Sequence, residues 1–493
     1  MSDKDLLNAA HNSVAYINGW VYTVNKTLPW VEAFIVDTNG IFSAVGNTRE
    51  IVAAAKAASM VVYDLKGRFI MPGIHDAHVH TIVSGSGLLN LAQTGYDVTR
   101  DNVVERIKKA HALAPTVMFT KIGYLEVLVL GSRILVAVSS TKVTRIPLLS
   151  SWGWVATIGT LIRLLSDALV IMSNKVSQAY VKRVVKRAIA EMHRHGVTSC
   201  QDASSTEMFL AALSELEAEG KLKMQFATHC LYKNEWLTGE IQVPADKLIL
   251  NADKYQSRHV DTRFVKMMMD GAYTPALMSH SDVDDNGIPD QSKILLPDAA
   301  ELVERFDGRG MTCKIHCMGY GGARTALDAF EIVRQMRPDG PRHEVAHCTR
   351  VLPEDCKRFK QLNVTAEMSP AGLFDNSHSE NLRLFHHDFE RITAAGAHVI
   401  IGSDWAHGLE LPMFRNTAIL VMRIGAEKVL EMITLAGAVA TGRDKEAGSI
   451  EVGKIANFIC VDRDVTRGDF ENAKVLQTWF EGEVVYDSTQ ELV

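Results

Sequence analysis

The stretch "MPGIHDAHVH", residues 71–80, sets two histidines one residue apart after a Pro-Gly at the end of an apolar run. On an extended strand residues i and i+2 share a face, so His78 and His80 project side by side while Ala77 and Val79 face the other way. Neutral imidazole is the commonest protein ligand for zinc, and two from one strand fix two coordination positions at small entropic cost. Taken alone, the pair suits a metal site and a chance His-x-His in a surface turn about equally. The rest of the chain decides between them.

A chain of 493 residues that is 47% hydrophobic has room for a large barrel-type domain and a smaller one. The formal net charge of -6 gives no general attraction to nucleic acid or to anionic lipid, so neither is expected as a partner. Seven scattered cysteines, an odd number, read as reduced thiols rather than a disulfide framework. The opening "MSDKDLLNAAHNSVAYING" carries charges and lacks the apolar centre of a secretory signal, which makes a cytoplasmic location the expectation.

Residues 14–66 read as short strands and turns, with an Asn-Gly turn at Asn39 and Gly40, and "GSIEVGKIANFICVDRD" and "VLQTWFEGEVVYD" read the same way near the other end. Residues 1–69 and 446–493 are therefore expected to build one composite β domain around residues 70–445. Within that middle, amphipathic helical stretches precede strand-like runs: "AYVKRVVKRAIAEMHRHG" before "VTSCQDA", "STEMFLAALSELEAEGKL" before "MQFATHC", "PEDCKRFKQLN" before "VTAEMSP". Such repetition means an α/β architecture with parallel strands.

More chemistry-bearing residues sit at the ends of these runs. Lys266 lies inside "RFVKMMMDG", an odd place for a charge unless its amine has a task. His316 ends a strand-like run in "MTCKIHCMGYGGA", His347 does so in "RHEVAHC", and Asp404 follows the apolar "VII" run and a Gly-Ser turn in "AHVIIGSDWAHG". In a (β/α)8 barrel the C-terminal ends of the strands share one mouth, where residues distant in sequence converge. Any one of these side chains is ordinary; six of metal-binding type at strand ends argue for a metal site.

This set of motifs resembles the amidohydrolase superfamily, in particular its YtcJ-like branch of metal-dependent hydrolases. "MPGIHDAHVH" is similar to the first-strand motif, "VKMMMDGAYTPALM" to the strand with a metal-bridging lysine, and "KIHCMGYGGARTALDAFE" to the fifth-strand histidine segment. "RHEVAHCTRVLPEDCKRF", "IIGSDW" and "GSIEVGKIANFICVDRD" resemble the sixth strand, the eighth strand and the return into the β domain. The resemblance covers residues 14–100 and about 176–490. It implies a TIM-type (β/α)8 barrel with a small β-sandwich domain built from both chain ends. It also implies His78, His80, Lys266, His316, His347 and Asp404 as metal ligands, Lys266 carrying CO2 as a carbamate between two divalent ions. Zinc is the expected metal, with manganese, iron, cobalt or nickel also suited to such ligands.

The implied activity is hydrolysis of an amide or other C–N bond in a small molecule. A buried neutral amine can take up CO2 to become an anionic oxygen ligand, the ions lower the pKa of bound water, and Asp404 can move the proton to the leaving amine. Asp270, His343 and Trp405 are candidates for the pocket wall, with packing or support of the ligands suiting His343 and Trp405 equally, and a homo-oligomer is one open assembly. A deaminase of the same superfamily is the alternative, although Gly319 stands where its acid would follow His316 and Lys266 would have no task; a binding or regulatory descendant is another. Two departures stand out. Tyr320 follows Gly319 where the family usually has Asp, and residues 115–166 hold a single acid, Glu126, and an uncharged run from Ile146 to Ile162. That stretch reads as an apolar lid or oligomer surface, a membrane-contacting insertion, or a shifted reading frame, the last being favoured.

Overall fold

The computed structural model describes residues 12–93, 119–122, 125–130, 133–136, 177–233, 246–271, 279–369, 389–405, 411 and 413–490. Eight strands form one sheet in chain order: β1 (Ile74–Val79), β2 (Val197–Ser205), β3 (Gln225–Leu231), β4 (Val260–Met268), β5 (Thr312–His316), β6 (Glu344–Ala346), β7 (Thr365–Met368) and β8 (His398–Ile401). All seven neighbouring pairs are parallel. The sheet curls until its edges meet. Val79 bridges Trp405 in parallel, the Asp404 N–H donates to the His78 carbonyl at 2.9 Å, and the His80 N–H donates to that of Trp405 at 3.1 Å. Gly402 makes this seam feasible, because a Cβ there would stand 2.4 Å from the Cβ of His78.

The helices form where the sequence pattern places them. Gln178–Arg194 starts at Ser177, whose side chain accepts the Tyr180 N–H, and it buries Val181, Val184, Val185, Ala188, Ile189 and Met192. That stripe recurs at helical spacing and packs outside the barrel; the turn after it ends in Gly196 with φ +79°. Glu207–Ala218 is capped by Thr206 in the same way, and Cys356–Gln361 falls within the third expected helix.

The two ends of the chain are stitched into separate sheets. Four strands, Val14–Ile17, Ala33–Val36, Phe42–Gly46 and Val61–Asp64, make one; six make the other, with Phe69–Pro72 antiparallel to Phe458–Val461. Gly40, φ +73°, closes the hairpin between Ala33–Val36 and Phe42–Gly46 as the Asn-Gly pair predicts. An aromatic core lies between the sheets. Phe458 stacks on Trp479 at 4.5 Å, and Tyr16 and Phe34 approach Phe458 edge-on at 5.3 and 5.0 Å. The quoted stretch is thus the passage from one unit to the other: Phe69–Pro72 belongs to the six-stranded sheet, Gly73 turns the corner, and β1 begins. A side chain at Gly73 would come within 2.2 Å of the Thr198 hydroxyl.

From residues 115–166 the strands Phe119–Ile122, Leu125–Leu130 and Arg133–Val136 join Leu91–Gln93 in a four-stranded sheet. The run from Ile146 to Ile162 lies outside the described residues. Among the described residues no helix is long and apolar enough to cross a membrane.

Candidate metal centre

His78 and His80 leave the end of β1 toward Asp404 at the end of β8, with Nε2 atoms 3.8 and 3.3 Å from its Oδ1. The ring of His347, just past β6, is centred 4.6 Å from that of His78, and the ring of His316, closing β5, lies 4.7 Å from that of His347. Four imidazoles and a carboxylate thus form one continuous group at the barrel mouth. Donor atoms of His78, His80 and Asp404 lie within 4.8 Å of one another, and so do those of His78, His347 and Glu367. The backbone is left-handed at three non-glycine residues here, His347 (φ +70°), Cys348 (+44°) and Asp404 (+51°). Conformations of this kind cost about 1–3 kcal/mol each and gather at functional sites.

Each imidazole has its outer nitrogen fixed. His78 Nδ1 lies 2.6 Å from Glu367 Oε2, His80 Nδ1 2.9 Å from Ser204 Oγ, His347 Nδ1 3.3 Å from Ser369 Oγ, and His316 Nε2 3.3 Å from the Gly271 carbonyl. Carboxylate and carbonyl oxygens only accept, so His78 Nδ1 and His316 Nε2 carry protons and their other nitrogens keep lone pairs. Burial, then the charge of Lys266, pushes His78 well below the usual imidazole range and His316 down to about 3. Burial, then His78 and His316, does the same to His347. Burial alone would raise the Asp404 carboxyl, but the hydrogen bond from His80 and the facing imidazoles outweigh it and hold the group well below the usual carboxylate range. The neutral imidazoles of His78, His316 and His347 around an ionised carboxylate are a cation-binding set.

Lys266, on β4, is 2% exposed, and its Nζ has no hydrogen-bond partner among the described residues. Burial, then the ammonium of Lys314, lowers its pKa to about 8. An orphaned buried amine beside imidazoles and a carboxylate fits a site completed by a further group.

The pocket-wall candidates fare differently. His343 does not reach the mouth: β6 begins one residue later, so His343 sits at the opposite end of the barrel. There it accepts the Cys313 N–H at 3.1 Å, stacks on Phe330, and approaches Asp307 at 3.2 Å. Asp270 is near the mouth but faces backbone, accepting the N–H groups of Met318, Gly319 and Ser281 at 2.9, 2.8 and 3.0 Å. It pins the turn after His316. The Trp405 side chain is 3% exposed and belongs to the main hydrophobic core, while its carbonyl ties the seam. Sequence reasoning missed Glu367, Ser204 and Ser369. The signal for Glu367 was a charge inside the apolar run "VTAEM", the argument already used for Lys266.

A parallel barrel with such donors at its C-terminal mouth defines a class, the metal-dependent hydrolases. The chain belongs to the amidohydrolase family, whose model matches residues 150–486. That match begins inside the apolar 115–166 stretch. Imidazolonepropionase of Geobacillus kaustophilus is 23% identical over 441 residues, spanning 87% of this chain and 82% of that protein. N-substituted formamide deformylase of Arthrobacter pascens is 27% identical over 213 residues, which cover 38% of this chain and only 39% of that one. Among solved structures, an uncharacterized metal-dependent hydrolase from Pyrococcus furiosus superposes with a TM-score of 0.69 at 19% identity, over 92% of this chain and all of that one. At that identity the likeness speaks for the fold.

Proposed function

We propose that the protein hydrolyses the amide or a related C–N bond of a small molecule, with two divalent ions, zinc first among candidates, held by His78, His80, His316, His347, Asp404 and a carbamate on Lys266. The observation that carries this reading is the contrast between two buried lysines. Lys314 donates to the Ala77 carbonyl and Gln201 and pairs with Glu344, whereas the Lys266 amine has no hydrogen-bond partner among the described residues. The free amine is the one able to attack CO2. Its lone pair forms the new N–C bond, the amine loses a proton, and the product is an anionic carbamate. Such ions, when bound, lower the pKa of water toward neutrality and polarise a substrate carbonyl.

The chain's own groups do the rest. Asp404, kept ionised and 40% exposed at the mouth, accepts the proton of the attacking water and delivers it to the departing nitrogen. Glu367, Ser204 and Ser369 hold the ring planes. Lys266 also favours the hydrolase over a deaminase, which would leave that amine idle. Seven buried cysteines, with no disulfide among the described residues, suit a reducing compartment, in support of a cytoplasmic location. Elemental analysis of chelator-free protein tests the proposal: near two metals per chain are expected, falling in Lys266→Ala. A well-folded protein with little metal refutes it.

A further inference from the structure

Barrel interiors of this kind are normally filled by branched aliphatic side chains. This one holds Gln201, Lys314, Glu344 and Glu367, all with zero exposure. Lys314 is central. Its Nζ donates to the Ala77 carbonyl at 2.7 Å and to Gln201 Oε1 at 2.6 Å, and lies 3.0 Å from Glu344 Oε2. Two hydrogen bonds and one ion pair thus hold the amine in place. Gln201 continues the network, its Nε2 lying 3.3 Å from His75 Nε2, and His75 Nδ1 lies 2.9 Å from Ser199 Oγ.

Stability does not require such a group. Burying an ion pair costs several kcal/mol per ion before attraction is counted, and apolar replacements of equal volume are often as stable. What the ammonium supplies is a fixed point on β1. That strand carries His78 and leads directly into His80, yet its ladder to β2 slips register twice, between Val197 and Ser199 and between Cys200 and Asp202. On its other side the seam to the segment after β8 has one bridge, Val79 to Trp405, with the Asp404, His80 and Ser403 N–H groups donating across it. These links run around the barrel wall, whereas Lys266 and His316 on β4 and β5, and His347 just past β6, stand across the interior from β1. Lys314 reaches from β5 across the interior to the residue immediately before His78, while its other arms hold β2 and β6.

We infer that Lys314, braced by Glu344 and Gln201, is a positioning residue that sets the height of the His78–His80 pair against the other metal donors. The inference rests on the metal-centre reading above. It is tested with Lys314→Met/Glu344→Gln, which removes both charges together and leaves no lone buried ion. Cobalt is the probe, its affinity measured by competition with a chromophoric chelator and its visible bands reporting coordination geometry. Melting is followed by circular dichroism. The expected result is a folded variant that binds cobalt about tenfold or more weakly, with altered bands, in the range found when groups supporting metal ligands are lost. Unchanged affinity and spectrum in the variant overturn the inference. Should the double variant fail to fold, Gln201→Met decides: it keeps the ion pair and removes one arm, and weaker cobalt binding supports the tie while native binding refutes it. Native protein that takes up no cobalt sinks the metal-centre reading, and the inference with it.

Discussion

The aromatic sandwich and the barrel mouth are built on opposite principles. In the sandwich, Tyr16, Phe34, Phe42, Phe458 and Trp479 are all less than 2% exposed and meet ring against ring. At the mouth, four imidazoles crowd a carboxylate, a buried amine has no hydrogen-bond partner among the described residues, and the backbone turns left-handed at His347, Cys348 and Asp404. The first region gains stability from shape; the second holds polar groups and strain that packing alone would not select. The difference teaches where a substitution should register, in melting or in chemistry.

The sharpest break is Asp404→Asn. Losing a positioned proton carrier should lower kcat by about 10²- to 10⁴-fold with little change in melting temperature, measured by steady-state kinetics once a substrate is found. Trp479→Ala should do the reverse: about 3–5 kcal/mol of stability lost in denaturant titration, with metal per folded chain unchanged. Glu367→Gln should weaken metal binding by about 10- to 100-fold in chelator competition, because His78 Nδ1 then faces a neutral amide. Native affinity in that variant would mean His78 needs no such support. The mildest contrast comes from acid. Burial lowers His75 to about 3, and His193 and His398 to about 4, against an ordinary 6.5. Below that ordinary value the unfolded chain binds protons that the folded chain refuses, so stability should fall as pH drops from about 6.5 to about 4. His193 Nε2 donates to the Lys223 carbonyl beneath the sandwich and not at the mouth. The melting temperature of metal-stripped and loaded protein should therefore decline in parallel from this cause.

Much of this was legible in advance for local reasons. Period-2 spacing put His78 and His80 on one face, and apolar runs ending in His316, His347 and Asp404 marked strand ends. Convergence of those ends needed only the inference of a parallel barrel. The place of His343 was left open because strand β6 is three residues long, Glu344–Ala346, and a histidine flanking so short a strand belongs to the mouth or the base depending on where pairing starts. Asp270 was misread because nothing in sequence tells a carboxylate facing substrate from one that collects three backbone N–H groups. Glu367 and Lys314 share inward-facing positions with His78 and Lys266 only once register between strands is fixed, and register is a property of pairs of segments far apart in the chain.

The seam between β1 and β8 has a kinetic meaning as well. The Ser403 N–H to Asp76 contact that helps close it joins residues 327 positions apart, against which a hairpin such as Ala33–Val36 with Phe42–Gly46 is immediate. Joins of such long range come late in folding, since the entropy of closing the loop is lost before the contact returns anything. His80 and Asp404 flank that join. A chain able to bring them together is one whose other barrel strands are already in place, so the meeting of His80 with Asp404 doubles as a report that the barrel is finished.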